Sequence, residues 1–334
     1  MSQALIKVAV VYGGPSEEHE VSRASAAAVL EHLDRSRFEV LPVYVTRTGS
    51  WVVADATGDA VTAGLGRAMK ALRSCGVALP VMHGRYGEDG NLQAFLEFIG
   101  MPYVGSGVLA SAAGMDKIRT KQLLAAAGLT VADGVVVTGD AGGVSPADRD
   151  RLGLPVFVKP ARSGSSIGVT RVDDWAALDE ALALARKSDH RVLVEAAVTG
   201  REIDVAVLQH PDGRVVASPP LEIRLPAGRT FFDYAAKYSD HATVFEVPAD
   251  LDPAVTRRLQ EQAVTVFHEL GCRGLLRVDF FVRPDGSVVV SEVNTAPGLT
   301  AKSQVPRMWA SVGIGYPDLL TILIETARSI GRRG

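Results

Sequence analysis

Residues 275–294 read LLRVDFFVRPDGSVVVSEVN: two apolar runs, Leu275–Val282 and Ser287–Val293, joined by Arg283-Pro284-Asp285-Gly286. Pro, Asp and Gly in succession are a turn signal, so the two runs form a β-hairpin. Side chains two apart on a strand share a face. Arg277 and Asp279 therefore point one way together, as do Glu292 and Asn294. With the turn centred at Pro284-Asp285, Asp279 lies opposite Val290 and diagonal to Glu292, about 7–8 Å away at the backbone. Asp279, Glu292 and Asn294 then offer an all-oxygen set suited to Mg²⁺ and poorly suited to zinc. A solvated charged face is the plainer alternative. Against it, Val278, Phe280, Val282, Val289 and Val293 on the other faces indicate a buried sheet, where carboxylates need a cation.

Upstream of the hairpin stands a well-punctuated helix. Asp252 caps it, Pro253 takes its first turn and Gly271 ends it, while Val255, Leu259, Ala263 and Phe267 recur at helical spacing. Before it, Glu202–Leu208 and Arg214–Ser218 read as a strand pair turning at Pro211-Asp212-Gly213. Val135–Thr138, Val156–Lys159 and Arg191–Glu195 read as strands, with a polar, Gly-rich connection at Gly139–Gly153. Asp173 reads as the cap of a helix through Lys187. A single helix is expected over Ser111–Ala127, with Gly128 as its left-handed cap. The first hundred residues alternate strands (Val8–Tyr12, Glu39–Val45, Val77–Met82) with helices (Ser22–Leu33, Leu92–Ile99), the pattern of a parallel sheet with helices on both faces. Gly13-Gly14 and His83-Gly84 sit at carboxyl ends of its strands, where ligands gather. The fold expected is α/β at the N-terminus and α+β beyond it, in three units: 1–105, 106–195 and 196–334.

The chain has 334 residues, 47% apolar and 22% charged, which suits an enzyme of two or three domains and not a disordered protein. A net charge of −3 carries no basic footprint for nucleic acid. Cys75 and Cys272 have no metal-ligand spacing and are too few for a disulfide framework, which fits a reducing cytosol. The first twelve residues lack the features of a secretory signal, and no uncharged apolar stretch approaches the roughly 18 residues of a membrane span. A cytoplasmic protein is expected, without membrane or nucleic-acid partners.

Two glycine-bearing segments carry further chemistry. Val156-Phe157-Val158-Lys159-Pro160 leads into Ala161-Arg162-Ser163-Gly164-Ser165-Ser166-Ile167-Gly168, a strand ending in lysine followed by a small-residue loop. Backbone N–H groups and hydroxyls of such a loop can cradle phosphates, with Lys159 as a point charge and Lys117 as a second candidate. It is not a Walker A loop, and alone a flexible linker explains it equally well. Gly13-Gly14-Pro15-Ser16-Glu17-Glu18-His19-Glu20 opens a helix but lacks the dinucleotide glycines, and its glutamates would repel a pyrophosphate. A ligand ammonium suits it better, yet a merely acid-rich helix start is an even alternative on chemistry alone.

Taken in order, these segments resemble the D-alanine–D-alanine ligase family. The resemblance rests on Gly13–Ser22, His83–Gly90, Gly105-Ser106-Gly107 with Met115-Asp116-Lys117, Lys159-Pro160 with Gly164–Gly168, Phe232–Tyr238 and Glu292–Thr300. It runs from residue 13 to about residue 307. It implies an ATP-grasp fold: a substrate domain over 1–105, a central lobe over 106–195, and a C-terminal lobe over 196–334 with the metal site and an ω-loop. It implies ATP-dependent ligation of two D-alanines through an acyl phosphate, for peptidoglycan synthesis, with Mg²⁺, two ions by preference and Mn²⁺ as a substitute. ATP and D-amino acids are the implied partners, and a homodimer the implied assembly.

By position, the resemblance gives Glu18 the first substrate's ammonium and sets His83 near its carboxylate. Ser165 and Tyr238 would bond with Glu18 and close a loop over the site. Lys117, Lys159, Ser166 and Lys237 would bind phosphates. Glu195 with the backbone of Ala196 and Val198 would read adenine, Glu202 the ribose, and Phe231 and Phe281 would flank the nucleotide. Arg277 and the backbone of Gly298 would stabilise the tetrahedral intermediate. Ser303 would take the acceptor's carboxylate, and Asp279, Glu292 and Asn294 the metal.

Two departures stand out. The hinge Glu195-Ala196-Ala197-Val198 has smaller side chains than the family usually carries, and Gln304 stands where an apolar residue commonly meets the acceptor's methyl. The second suggests D-serine or a cyclic analogue as an alternative acceptor, or a resistance or specialised-pathway ligase. Tyr238 argues against lactate.

Overall fold

The computed structural model describes residues 4–54, 60–139, 142–224, 226 and 243–331. Three β-sheets organise them. The first comprises β1 (Ile6–Gly13), β2 (Phe38–Val45), β3 (Trp51–Ala54), β4 (Ala60–Ala63) and β5 (Val77–Pro80), in the order β4-β3-β2-β1-β5. Its β2, β1 and β5 are parallel, as the strand–helix alternation requires. The antiparallel hairpin β3–β4 extends its edge, a departure from the all-parallel reading. Those strands are only four residues each, too short to show a period.

The second sheet holds β6 (Gly134–Thr138), β7 (Val156–Pro160), β8 (Thr170–Val172) and β9 (Arg191–Ala196), ordered β6-β9-β7-β8. One face packs on the Leu178–Arg186 helix through Val156, Val158, Leu178 and Leu182. The third holds β10 (Arg201–Gln209), β11 (Val215–Ala217), β12 (Leu221–Arg224), β13 (Val244–Glu246), β14 (Leu275–Val282) and β15 (Val288–Asn294), all antiparallel. Ile203, Val205 and Val207 of β10 face the Pro253–Glu269 helix, which begins and ends at the punctuation described. Ala206 and Leu208 face the other way, into a core shared with the first sheet and the Tyr316–Gly331 helix. Glu202 and Asp204 continue that second face toward the cleft between the sheets.

Several local expectations change. The helix expected over Ser111–Ala127 is two, Val108–Met115 and Lys117–Ala126, broken at Asp116. Asp116 is extended there. Its carboxylate accepts the Arg119 N–H at 3.2 Å and pairs with Arg191 at 2.5 Å, so a cap and an ion pair outweigh helix continuity. The Gly139–Gly153 connection contains the helix Pro146–Leu152, capped by Ser145. Asp174, not Asp173, caps the next turn, accepting from Ala176 N–H at 2.9 Å. Among the described residues no helix is long and apolar enough to cross a membrane.

Asp116→Ala removes the cap and leaves Arg191 half-buried without its acid, a cost of about 2–3 kcal/mol. Its thermal unfolding midpoint is expected several degrees below the parent, and an unchanged midpoint would show the helix break to be incidental.

Candidate active site

The hairpin does not keep strict alternation. Pairing runs Val282↔Val288, Phe281↔Val289 and Phe280↔Val290, then shifts so that Asp279 faces Glu292 and Arg277 faces Asn294. Ser291 is the extra residue of a β-bulge. Val288 and Val290 point into the core with the Pro253–Glu269 helix. Without the bulge Glu292 would follow them, but with it Val293 takes the core position and Glu292 and Asn294 turn to the cleft. The expected position of Asp279 opposite Val290 is thus corrected to a direct pairing with Glu292. Val289 and Val293 do not share a face. On the other side of β14, Asp279 faces Asp204 of β10. Three carboxylates, Asp204, Asp279 and Glu292, therefore lie in one row across three strands.

Like charges opposite one another on a sheet repel, and burial amplifies the effect. The cations that offset the row are specific. Arg277 binds Asp279 through Nε and Nη2 at 2.7 and 2.8 Å and lies 3.4 Å from Asp204. Burial works against the guanidinium's charge, but Asp279 and Asp204 outweigh it and hold its pKa above the ordinary value. Lys117 Nζ lies 2.8 Å from Glu292 and donates to the Ser163 carbonyl at 2.7 Å. Asn294 donates to Asp279 Oδ2 at 3.0 Å. Among the described residues no three His, Cys, Asp or Glu side chains converge as a metal-holding group. The set that fits a cation is two acids and an amide, all oxygen donors, which suits Mg²⁺.

Two adjoining cavities open on this row. One lies between the second and third sheets and is lined by Lys117, Lys159, Ser166, Val198, Glu202 and Phe281. Lys159 stands over the Phe157 ring at 5.5 Å and pairs with Glu195. Lys121, which carried no sequence signal beyond its helix spacing from Lys117, pairs with the same carboxylate. Burial alone would raise the Glu195 pKa, but the two lysines hold it below the usual carboxylate range. The side chain of Glu195 is thus engaged by two lysines while it lines this cavity. The Ala196 N–H donates to the Asp133 carbonyl at 2.8 Å and the Ala197 N–H to that of Pro155 at 3.0 Å. The Ala196 N–H is thus engaged, and both Ala196 and Val198, whose backbone is expected to read adenine, line this cavity.

The other cavity lies between the first and third sheets. Glu18, His83, Ser165, Gly298 and Ser303 line it. Ser165 donates to Glu18 Oε1. A Cβ at Gly84 would come within 2.6 Å of the Glu18 carboxylate, and one at Gly164 within 2.7 Å, so a side chain at either would displace that carboxylate; Gly84, at φ 70°, is also in the left-handed region. Ser165 and Ser166 adopt φ of 50° and 60°, a left-handed pair that costs about 1–3 kcal/mol each and shapes the loop around that carboxylate. His83 is buried, its Nε2 lying 3.3 Å from Ser25 Oγ. Burial pushes the imidazole's pKa down, partly offset by Glu18. Ser303 Oγ accepts the Thr300 N–H at 3.1 Å. Phe231, Lys237 and Tyr238 lie outside the described residues.

This constellation can be set beside known proteins. The D-ala D-ala ligase N-terminus profile matches residues 7–106 and the D-ala D-ala ligase C-terminus profile residues 123–325. The chain belongs to the D-alanine–D-alanine ligase family. A D-alanine–D-alanine ligase of Nocardia farcinica is 49% identical over 98% of both chains, and one of Rhodococcus jostii 48% identical over the whole of both. Among solved structures, the VanG D-Ala:D-Ser ligase from Enterococcus faecalis superposes with a TM-score of 0.85 at 34% identity, covering 97% of this chain and 100% of that one. The D-alanine-D-alanine ligase from Coxiella burnetii gives 0.85 at 32% identity, covering 99% and 96%. The Bacillus anthracis ligase complexed with ATP gives 0.81 at 29%, covering 98% and 99%. The chain is a ligase with the ATP-grasp fold.

Three polar residues of the ligase site escaped sequence reading: Lys121, Asp204 and Glu88. Asp204 could have been found from its spacing two residues after Glu202, which puts both on one strand face. Glu88 stands inside the His83–Gly90 motif, where sequence alone gives it no role. It accepts the Gly84 N–H at 3.0 Å and lines the cavity between the first and third sheets with Glu18. Burial, then the Glu18 charge, pushes its carboxyl up to about 8. Such a group binds a proton in the fold that the unfolded chain releases near pH 4.5, so folding loses stability as pH rises from there to about 8 and levels off above. In the protein without nucleotide or metal, Glu88→Gln is expected to match the parent's midpoint near pH 4.5 and to exceed it by a widening margin up to pH 8. A gap independent of pH would refute this account of Glu88.

Proposed function

We propose that this ligase couples ATP cleavage to the joining of two D-alanines, supplying D-alanyl-D-alanine for peptidoglycan precursors. The observation that carries the reading is a shared wall. Arg277, Glu292 and Gln304 line both cavities, so a terminal phosphate in one meets an amino acid's carboxylate in the other. A carboxylate oxygen of the first D-alanine attacks the γ-phosphorus and ADP leaves, giving an acyl phosphate. The neutral amine of the second D-alanine attacks the acyl carbon, phosphate departs, and the nitrogen loses its extra proton.

In this reading Glu18 holds the first ammonium, with Ser165 fixing its carboxylate, and His83 stands beside that substrate. Lys117, Lys159 and Ser166 bind phosphates once the lysines exchange their carboxylate partners for them. Glu195 with the backbone of Ala196 and Val198 reads the base, Glu202 the ribose, and Phe281 packs on the nucleotide; Phe231, Lys237 and Tyr238 complete the site. Arg277 and the Gly298 N–H stabilise the oxyanion of the tetrahedral intermediate. Ser303 orients the acceptor's carboxylate. Asp279, Glu292 and Asn294 would hold Mg²⁺, two ions in this proposal, and bound Mg²⁺ screens and polarises the phosphates. The working units are residues 1–105, 106–195 and 196–334. The enzyme acts in the cytoplasm as a homodimer, a proposal supported by the exposed Phe98 and Leu109 on two consecutive helices.

A coupled assay for ADP release tests this directly. Release is expected to require Mg²⁺ and D-alanine together, with D-serine and D-lactate poor acceptors. Asp279→Asn and Glu292→Gln are each expected to lower kcat by about 100-fold. ADP release indifferent to D-alanine would sink the proposal.

A further inference from the structure

From its residue type alone, Gln304 offers the acceptor a polar surface. The structure turns that polarity elsewhere. Its Oε1 accepts from Arg277 Nη1 at 3.1 Å, and its Nε2 donates to Asp204 Oδ2 at 2.9 Å. Asp204 is 2% exposed and lines the nucleotide-side cavity but not the wider one. The amide of Gln304 is therefore bonded into the wall at both ends.

Arg277 is gripped from two sides as a result. Asp279 takes Nε and Nη2, and Gln304 takes Nη1, so all three guanidinium nitrogens have an acceptor. A guanidinium is a planar fork on a long stem, and its direction is set by the acceptors around its rim. Asp279 stands on the same strand two residues away and anchors one edge only. The opposite edge is anchored by a chain that crosses to β10 and to the Gln304–Ala310 helix.

We propose that Asp204 and Gln304 are positioning residues for Arg277, aiming its guanidinium at the acceptor end of the cleft, and that Gln304 consequently presents its aliphatic stem to the acceptor. This rests on the ligase reading of the same site and deepens it. Gln304 then leaves the wall beside the acceptor as apolar as a leucine or methionine would.

The test is a swap in the full-length enzyme: Asp204→Asn and Gln304→Glu, singly and together, with Gln304→Met alongside. Asp204→Asn removes the charge that faces Arg277, and Gln304→Glu sets a carboxylate against Asp204. In combination the carboxylate at 304 accepts from Arg277 and from the amide at 204, restoring the chain with its polarity reversed. Each single change is expected to lower acceptor kcat/KM about tenfold with the KM for ATP within about twofold, and the pair to recover to within about threefold of the parent. Losses that multiply in the pair, a KM for ATP that rises in step, or a pair that fails to fold where both singles fold would overturn the proposal. Gln304→Met is expected to keep the D-alanine to D-serine preference within about twofold, while a shift beyond about fivefold would place the amide against the acceptor and overturn it. A parent enzyme inert toward D-alanine defeats the ligase reading itself, before any variant is compared.

Discussion

Three carboxylates face one another across β10, β14 and β15, and the architecture of the cleft follows from the need to balance them. Placed on a sheet with an apolar reverse side, such a row is unstable unless positive charge stands over it. Arg277 covers Asp204 and Asp279 from two residues along β14, while Lys117 reaches Glu292 from the start of a separate helix. That second pair ties the helix following Asp116 to the C-terminal sheet. The same electrostatic demand that would draw a metal and a polyphosphate into the cleft also joins the elements that build it.

The cavity between the second and third sheets repeats the arrangement in mirror charge. Glu195 lies between Lys121 and Lys159, a buried acid with two buried bases. Removing Glu195 would leave two lysines facing each other without an acid, whereas removing either lysine leaves the carboxylate paired with the other. A phosphate that captures Lys159 leaves Glu195 still paired with Lys121. The carboxylate need not be protonated or moved when the site fills.

Around Glu18 the constraint is steric. Its carboxylate occupies the space where Gly84 and Gly164 would carry a Cβ, and the strained Ser165-Ser166 backbone brings a hydroxyl to it. The two glycines come from different sheets' loops. The cavity around Glu18 is thus assembled from loops of the first and second sheets together with residues of the third.

Much of this was written in the amino-acid order. The strand–helix alternation, the capped Pro253–Glu269 helix, the hairpin and the identities of its acids all come from local periodicity and turn chemistry, which depend on near neighbours alone. The D-alanine–D-alanine ligase family was likewise legible from six ordered motifs. Tertiary structure decided the rest. Whether Asp279 meets Val290 or Glu292 turns on one bulged residue, Ser291, whose placement is chosen by the packing of Val293 against a distant helix. Asp116 breaks a helix because Arg191, on another strand, is there to pair with it. Asp204 and Gln304 are one hundred residues apart, and a polar side chain's meaning depends on which partner the fold brings to it. Sequence names the donors and acceptors, but only the packed chain determines which of them are already bonded.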